Sequence, residues 1–433
     1  MTNFRWRIVL LLFLMTTVNY IDRNVLSFAM LDDAFRRTLL GVSPDHVLTQ
    51  ADLDFFKIQY GWVDTSFKIA YAIGFIVIGW AIDRFGTKRG LAAAIGLWSI
   101  AGIAHALVGS FRSLIVVRFL LGFGEASNFP SGIKSIAEWF PKKERAFAAG
   151  IFNAGTNVGI ILTAALVPWI TLHFGWRFSF ISTGMLGLGV LFLWWRYYQS
   201  PELHPQVNAS ELSYIRQDNQ QEKAAEKVTW LKLLSYRQTW AMIVGKLLTD
   251  PVWWFYLTWL PDFFNSSESL KQNLDLQNIG LPFMAIYIIS DGGSVFFGWL
   301  SSQLMKMGWS LNRARKLTML CCALCSVPIF FAAQTHSLYM AIGLIALATA
   351  AHQGWSSNLY TFASDLFPKN AVATVTGIGG VAGAVGGIIL AALAGPIRVQ
   401  MGYLPLFLVA GSVYLVALLT IQLLVPKMKP VEM

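Results

Sequence analysis

The stretch "GWAIDRFGTKRG", Gly79 to Gly90, decides how the chain is read. It is a short run with an acid and three cations, set between two long apolar segments. Gly79 lets another helix approach closely, and Gly86 lets the chain turn tightly. Asp83 can neutralise a helix N-terminus or an arginine. Arg84, Lys88 and Arg89 hold one end of the adjoining segments in water. The stretch therefore reads as a hairpin between two membrane spans.

The rest of the chain agrees. Of 433 residues, 55% are hydrophobic and only 13% are charged. An ordinary soluble domain carries about 25% charged residues. Apolar runs of roughly 18 or more residues, long enough to cross hydrocarbon as a helix, recur from end to end. We read twelve, at 7–30, 58–82, 90–110, 113–138, 147–172, 177–198, 238–261, 278–304, 314–334, 338–364, 371–396 and 402–425. The first is too long for the apolar part of a signal peptide and has no small-residue cleavage site after it, so it is expected to remain as a span. A polar stretch, 200–237, separates six spans from six. Pro201 and Pro205 break the helix there, and Ser210 is expected to cap a short amphipathic one. The expected domains are a bundle at 1–199, a connecting loop at 200–237 and a second bundle at 238–433.

Lysine and arginine in the short loops set orientation. One set of loops holds Arg84, Lys88, Arg89, Lys142, Lys143, Arg145, Arg313, Arg315 and Lys316. The alternate set is poorer in cations, so both termini and the connecting loop are expected in the cytoplasm. Topology accounts for the net charge of +10, and no nucleic-acid partner is implied. Cys321, Cys322 and Cys325 share one apolar run with no histidine near, which suits packing residues rather than a metal or redox site.

An internal repeat is legible. "EWFPKKERAFAAGIFNAGTNVGIIL" from Glu138 aligns with "DLFPKNAVATVTGIGGVAGAVGGIIL" from Asp365, matching Gly150 with Gly377 and Gly159 with Gly386. Both halves keep the same order, so the repeat is parallel. Six plus six helices in a parallel repeat is a plan used by transporters, which bind substrate near the bilayer midplane.

Ionisable residues inside spans cost roughly 2.5–3.5 kcal/mol each at a helix centre, which marks them as functional candidates. In "VNYIDRNVLS" of the first span, Thr16, Asn19, Tyr20, Arg23 and Ser27 form one helical stripe. Asp22 lies about 100° away, so Asp22 and Arg23 are not each other's partner. Arg118 and Glu125 lie two turns apart on one face of the fourth span. A midplane carboxylate with cations near it suits proton carriage. Lys68 with Asp64, and Lys246 with Asp250, are spaced to pair one turn apart, either as neutralised structural pairs or as parts of a binding site. Lys134 is spaced to bridge to Glu138. Glu138 and Asp365, equivalent in the repeat, suit gate carboxylates. Trp254 and Tyr256 in span seven suit either the interfacial belt or a sugar ring, and Trp253 and Trp259 the belt. His352, Gln353, Ser356, Ser357, Asn358 and Tyr360 in span ten suit a hydroxyl-rich ligand or a watered cavity. Asp291 stands alone without an assignment.

Taken together, the hairpin "GWAIDRFGTKRG", "NYIDRNVLS", "GFGEASNFPSGIKSIAEWFPKKERAFAAGIFNAGTNVG", "SPELHPQVNASELSYI" and "AHQGWSSNLYTFASDLFPKNAVATVTG" resemble the anion:cation symporter branch of the major facilitator superfamily. Bacterial hexuronate transporters are the most similar members. The resemblance implies an all-α membrane fold of twelve helices in two six-helix bundles. It implies that Arg23 binds a substrate carboxylate, that Asp22 and Glu125 take up protons, that Arg118 couples them, and that Tyr20 and Tyr71 line the site. Lys246, Ser357 and Tyr360 fall at polar site positions, and Asp83 with Arg84 at the latch. The second copy of the hairpin has Ser302 where the acid would fall. Lys68 and Lys246 depart from the pattern, as does a long first outer loop.

The expected activity is import of a sugar-acid anion, a hexuronate such as glucuronate or galacturonate, coupled to protons across the bacterial inner membrane. Its partners are that anion, protons and the lipid bilayer, with a monomer as the expected state and no cofactor. The rival is another organic anion, an aldonate such as galactonate or an aromatic acid, or coupling to Na⁺. A ligand sensor would need a signalling domain, and an enzyme a nucleophile–base constellation; neither is evident.

Overall fold

The computed structural model describes residues 3–217, 230–266, 270, 274–367, 369–429 and 431. Residues 76, 79–81, 83, 142–143, 145–147, 230, 363–364, 369–370 and 372–373 are described by their backbone alone. The expectations for the Asp83 side chain, for Lys271 and for the polar piece 218–229 lie outside the described residues.

The described chain is helical throughout, and its contacts divide it into two units, Met1–Ala224 and Ala225–Met433. The first holds α1 (Arg5–Ala29), α2 (Asp33–Leu40), α3 (Gln50–Phe85), α4 (Thr87–Ala104), α5 (Phe111–Glu125), α6 (Asn128–Trp139), α7 (Lys142–Phe174), α8 (Trp176–Tyr197) and α9 (Ala209–Arg216). The second holds α10 (Trp230–Leu234), α11 (Arg237–Ser266), α12 (Gly280–Lys306), α13 (Leu311–Ser326), α14 (Leu338–Leu366), α15 (Lys369–Met401) and α16 (Leu404–Leu424). Among the described residues, eight helical stretches are long and apolar enough to cross a membrane. The expected spans outside that set coincide with α3, α5 with α6, α11 and α14. Helices α5 and α6 are each too short alone, at 15 and 12 residues, because the span breaks between them, and the charged and polar residues of α11 and α14 lower their hydropathy.

Local chemistry sets the ends. Ser110 and Thr49 begin α5 and α3 with reciprocal capping boxes to Ser113 and Asp52. At the start of α3, His46 and then Thr49 hold the Asp52 carboxyl down at about 2. Gly86 and Gly175 turn the corners between helices at φ +83° and +81°, where a side chain would be strained. The expected fourth span is broken: α5 ends at Glu125 and α6 starts at Asn128. Pro130 has no amide proton to offer the Ala126 carbonyl, which explains the break. The loop helix α9 is capped by Asn208, whose side chain accepts from the Glu211 amide at 2.9 Å. Ser210 is not the cap; its hydroxyl donates to Asn208. Asn208 wins because it sits one residue before the helix, where its oxygen reaches back to a free amide.

Alpha-9 belongs to the N-terminal unit. The buried Glu211 carboxylate accepts from the Phe4 and Arg5 amides at 3.1 and 3.2 Å and from the Arg5 guanidinium at 3.2 Å. Arg5 also pairs with Glu144 at 2.9 Å, and Tyr214 donates to the same carboxylate at 2.7 Å.

The repeat shows in the packing. Helix α1 lies on α7, and α11 on α15; α3 lies on α5, and α12 on α14. The matched glycines do matching work. A Cβ at Gly159 would stand 2.5 Å from the Thr17 carbonyl, and one at Gly386 would strike the Leu247 carbonyl. Each lets two helices touch backbone to backbone, the close approach that binds helices in lipid. Gly386→Ala is therefore expected to cost about 1–3 kcal/mol through overpacking. Gly377→Ala, where a Cβ meets nothing within 4 Å, should leave thermal unfolding in detergent nearly unchanged. Equal midpoints for the two variants would refute this account of the contact.

Candidate functional site

The stripe on α1 turns toward α6 and α5. Thr16 donates to Asn128 at 3.3 Å, and Asn128 donates to Asn19 at 3.4 Å. One turn further, the Arg23 Nε meets Glu125 Oε2 at 2.8 Å. Both groups are withdrawn from water, with side-chain exposures of 10% and 0%. Aromatic faces surround the guanidinium: Tyr20 at 4.6 Å, Tyr71 at 4.9 Å and Phe67 at 5.4 Å from ring centroid to Cζ. Such faces attract a cation and replace part of its lost hydration. Arg118 donates to the Arg23 carbonyl at 2.8 Å and lies over Phe67 at 4.8 Å. Arg23 Nη2, Glu125 Oε1, and Arg118 Nε and Nη1 are buried without a hydrogen bond. Leaving such groups unsatisfied costs about 1–3 kcal/mol each, more when charged. A cluster that retains them has donors to spare for an incoming anion.

Asp22 goes elsewhere. Asp22 is 3% exposed, its carboxylate faces the Thr183 hydroxyl, and no ion pair holds it among the described residues. It lies against the small residues of α4 and α8: a Cβ on Gly102 would be 3.8 Å from Oδ1, and one on Gly187 3.5 Å from Oδ2. The buried Ser99 hydroxyl borders the same space. The two acids of the first and fourth spans thus have different surroundings, one in an ion pair with arginine and one in a pocket of glycines. The sequence signal was the angular offset of Asp22 from the polar stripe.

Lys68 pairs with Asp64 at 2.5 Å, both buried, on α3. Glu138 accepts from Thr87 at 2.7 Å and from Tyr198 at 2.6 Å, tying α6 to the start of α4 and the end of α8. Lys134 donates to the Ile82 carbonyl at 3.3 Å. Arg84 is exposed.

The C-terminal unit has a polar centre of its own. The Lys246 ammonium meets Asp250 at 2.9 Å and the Tyr360 hydroxyl at 2.9 Å, with the Tyr360 ring centroid 4.2 Å away. Tyr360 is 47% exposed and Lys246 3%. Asp250 sits over Gly383 of α15, where a Cβ would strike the carboxylate. Ser357 and Asn358 both donate to the Gly354 carbonyl of their own helix, at 3.0 and 2.9 Å. Trp254 is half-buried, whereas Tyr256 is fully buried with its hydroxyl unbonded, in the core of the unit. Asp365 accepts from Arg315 at 3.0 Å, and Arg315 also donates to Ser301. The repeat partners Glu138 and Asp365 thus both tie helix ends within their own units. Sequence reasoning missed the group formed by His352, which bonds Tyr414 at 2.7 Å and stacks on Trp253 at 5.1 Å. Trp253 suits the belt by sequence and Tyr414 carries no signal there; only their contact with His352 distinguishes them.

The sequence profile of the Major Facilitator Superfamily matches residues 12–391. The chain belongs to that superfamily, whose members carry solutes rather than act as enzymes. Among curated relatives, it is 30% identical to a probable galactarate/D-glucarate transporter of Bacillus subtilis, over 85% of this chain and 80% of that one. It is 28% identical to a D-galactonate transporter of Escherichia coli, covering 99% and 97% of the two chains. It is also 28% identical to the hexuronate transporter of Escherichia coli K12, covering 96% and 93%. The inward-open xylose transporter of Escherichia coli superimposes with a TM-score of 0.73 at 15% identity, over 98% and 97% of the chains. A bacterial homologue of the human lysosomal transporter Spinster, inward-facing and occupied, gives 0.69 at 17%, over 98% and 95%. Both likenesses concern the fold.

The two kinds of buried acid predict different stabilities. Asp64→Asn takes the ion-pair partner from buried Lys68 and should cost about 3–5 kcal/mol. Asp22→Asn removes a buried carboxyl with no ion-pair partner among the described residues and should be neutral or stabilising at neutral pH. Thermal unfolding of the purified variants reads both; a comparable loss in Asp22→Asn would show that Asp22 has a cation partner after all.

Proposed function

We propose that the chain is a proton-coupled symporter that imports a sugar-acid anion across the bacterial inner membrane, with hexuronates such as glucuronate and galacturonate as the first candidates. In this reading the chain crosses the bilayer twelve times, with both termini cytoplasmic, and exposes its site to the two sides in turn. The observation that carries the reading is the Arg23–Glu125 pair under its aromatic faces.

The chemistry follows from competition. A carboxylate on Glu125 and a carboxylate on a substrate seek the same guanidinium. Protonating Glu125 removes its claim, and Arg23 then takes the substrate anion. Loss of the proton restores the internal pair and expels the anion. Arg118, fixed on the backbone of Arg23, keeps the guanidinium in place through the exchange. Asp22 takes up a proton in its own pocket. The Asp83 and Arg84 hairpin acts as the latch. The relatives named for sugar acids support this ligand class.

A second reading is favoured by Lys246. It is a second buried cation held by a carboxylate and covered by a tyrosine, in the other unit. A buried cation beyond Arg23 suits the class of ligand with more than one acidic group, such as the galactarate or glucarate of one relative's name.

The test is uptake of labelled glucuronate, galacturonate, galactonate and glucarate into proteoliposomes under an inward proton gradient. Uptake of at least one should collapse with a protonophore; full uptake in its presence, or dependence on Na⁺ alone, removes the proton. Glu125→Gln should abolish uphill uptake and leave counterflow exchange, since a permanently neutral side chain frees Arg23 but carries nothing. Lys246→Met should weaken glucarate transport at least tenfold and glucuronate transport far less; an equal loss of both would return the Lys246–Asp250 pair to a structural role.

A further inference from the structure

At one end of the C-terminal unit, the turn between α10 and α11 faces the chain that leaves α16. Tyr236, Arg237, Leu424, Val425, Lys427 and Lys429 border an open groove of about 570 Å³ between them. Three of these residues are cations, and no carboxylate borders the groove among the described residues. The wall formed by the C-terminal segment is fixed. Lys316 of α13 donates to Gln422 and to the Val425 and Pro426 carbonyls at 2.7, 2.5 and 2.9 Å. The Met428 amide donates to Asn312 at 3.1 Å, and Met428 itself is buried. Lys427 and Lys429, on either side of that anchor, are both exposed. No ion pair among the described residues neutralises these like charges bordering one groove.

The surface that continues from the groove is apolar. On α16, Leu423, Leu419 and Val416 are 69%, 61% and 52% exposed, spaced three and four residues apart. They form one lipid-facing stripe that ends at the groove. Trp240, in the first turn of α11 three residues after Arg237, is 47% exposed, and an indole suits the boundary between headgroups and hydrocarbon. Cations at a helix end above an outward apolar stripe match the two parts of a phospholipid.

We propose that this groove binds the headgroup of an anionic phospholipid, with Arg237, Lys427 and Lys429 around the phosphate and the acyl chains along the α16 stripe. The inference depends on the chain spanning a membrane and is independent of what it transports. A free phosphate would meet the same cations but would gain nothing from the stripe, and that separates the two sources.

The experiment follows thermal unfolding of the purified full chain in a neutral detergent. Short-chain phosphatidylglycerol, short-chain phosphatidylcholine and inorganic phosphate are titrated separately. Phosphatidylglycerol should raise the midpoint, and the other two should not. A juxtamembrane cation contributes roughly a fivefold factor in affinity for anionic lipid. Arg237→Gln/Lys427→Gln/Lys429→Gln should therefore need roughly a hundredfold more phosphatidylglycerol for the same shift. Lys427→Gln/Lys429→Gln, changed only beyond the last helix, should need roughly 25-fold more and serves if the triple variant does not fold. A control with Arg112, Arg177 and Arg196 changed to Gln, all exposed in the other unit, should respond as the unaltered protein does. An equal shift with phosphatidylcholine, an equal shift with inorganic phosphate, an unchanged response in the double variant, or an equal loss in the control would each overturn the proposal.

Discussion

A single ion pair organises the N-terminal unit: Arg23 of α1 against Glu125 of α5, at 2.8 Å. Neither charge could stand alone in a membrane interior, because the desolvation of each is several kcal/mol. Together they are tolerable, and three aromatic rings over the guanidinium lower the cost further. The pair also fixes geometry. Glu125 is the last residue of α5, at the break before α6, so the carboxylate sits where the helix stops and its direction is set by the chain. Arg118 then bonds the Arg23 backbone. A pair that is tolerated only as a pair is also one that a competing anion or a proton can open.

The repeat supplies the frame for this chemistry twice without copying it. Gly159 and Gly386 bring α7 onto α1 and α15 onto α11. On α1 that close approach leaves Arg23 facing another helix for its counter-ion. On α11 the cation Lys246 finds its acid one turn along the same helix, and α14 contributes Tyr360. Local pairing holds Lys246 more simply, and it needs no break in a neighbouring helix.

Much of the pairing among buried charges was legible because the membrane makes it so. A charge inside an apolar run stands out, and helical spacing says which charges can meet along one helix. Lys68 with Asp64 and Lys246 with Asp250 were readable on that ground. Asp22 was separable from Arg23 by one residue's rotation. Contacts between helices were not readable: the Arg23–Glu125 bond, the glycine pocket around Asp22, and the Trp253, His352 and Tyr414 group all join residues remote in sequence. Span ten shows the opposite limit. Its polar side chains suit a hydroxyl-rich ligand or a watered cavity by composition, and Ser357 and Asn358 also bond their own backbone, which any helix interior offers. The cap of α9 fell to Asn208 rather than Ser210 because the helix begins one residue earlier than the sequence suggested.

The sequence by itself determined that the chain is a bundle of apolar helices in two like halves, because hydropathy, glycine spacing and charge placement are local quantities that lipid enforces along the chain. It also named the charged residues that a membrane would not keep without use. Tertiary structure alone decided which of them face each other, where the fourth span breaks, and that the two acids beside Arg23 live in different surroundings. Those outcomes depend on how helices rotate and approach, and this is fixed by side chains that meet only after the chain has packed.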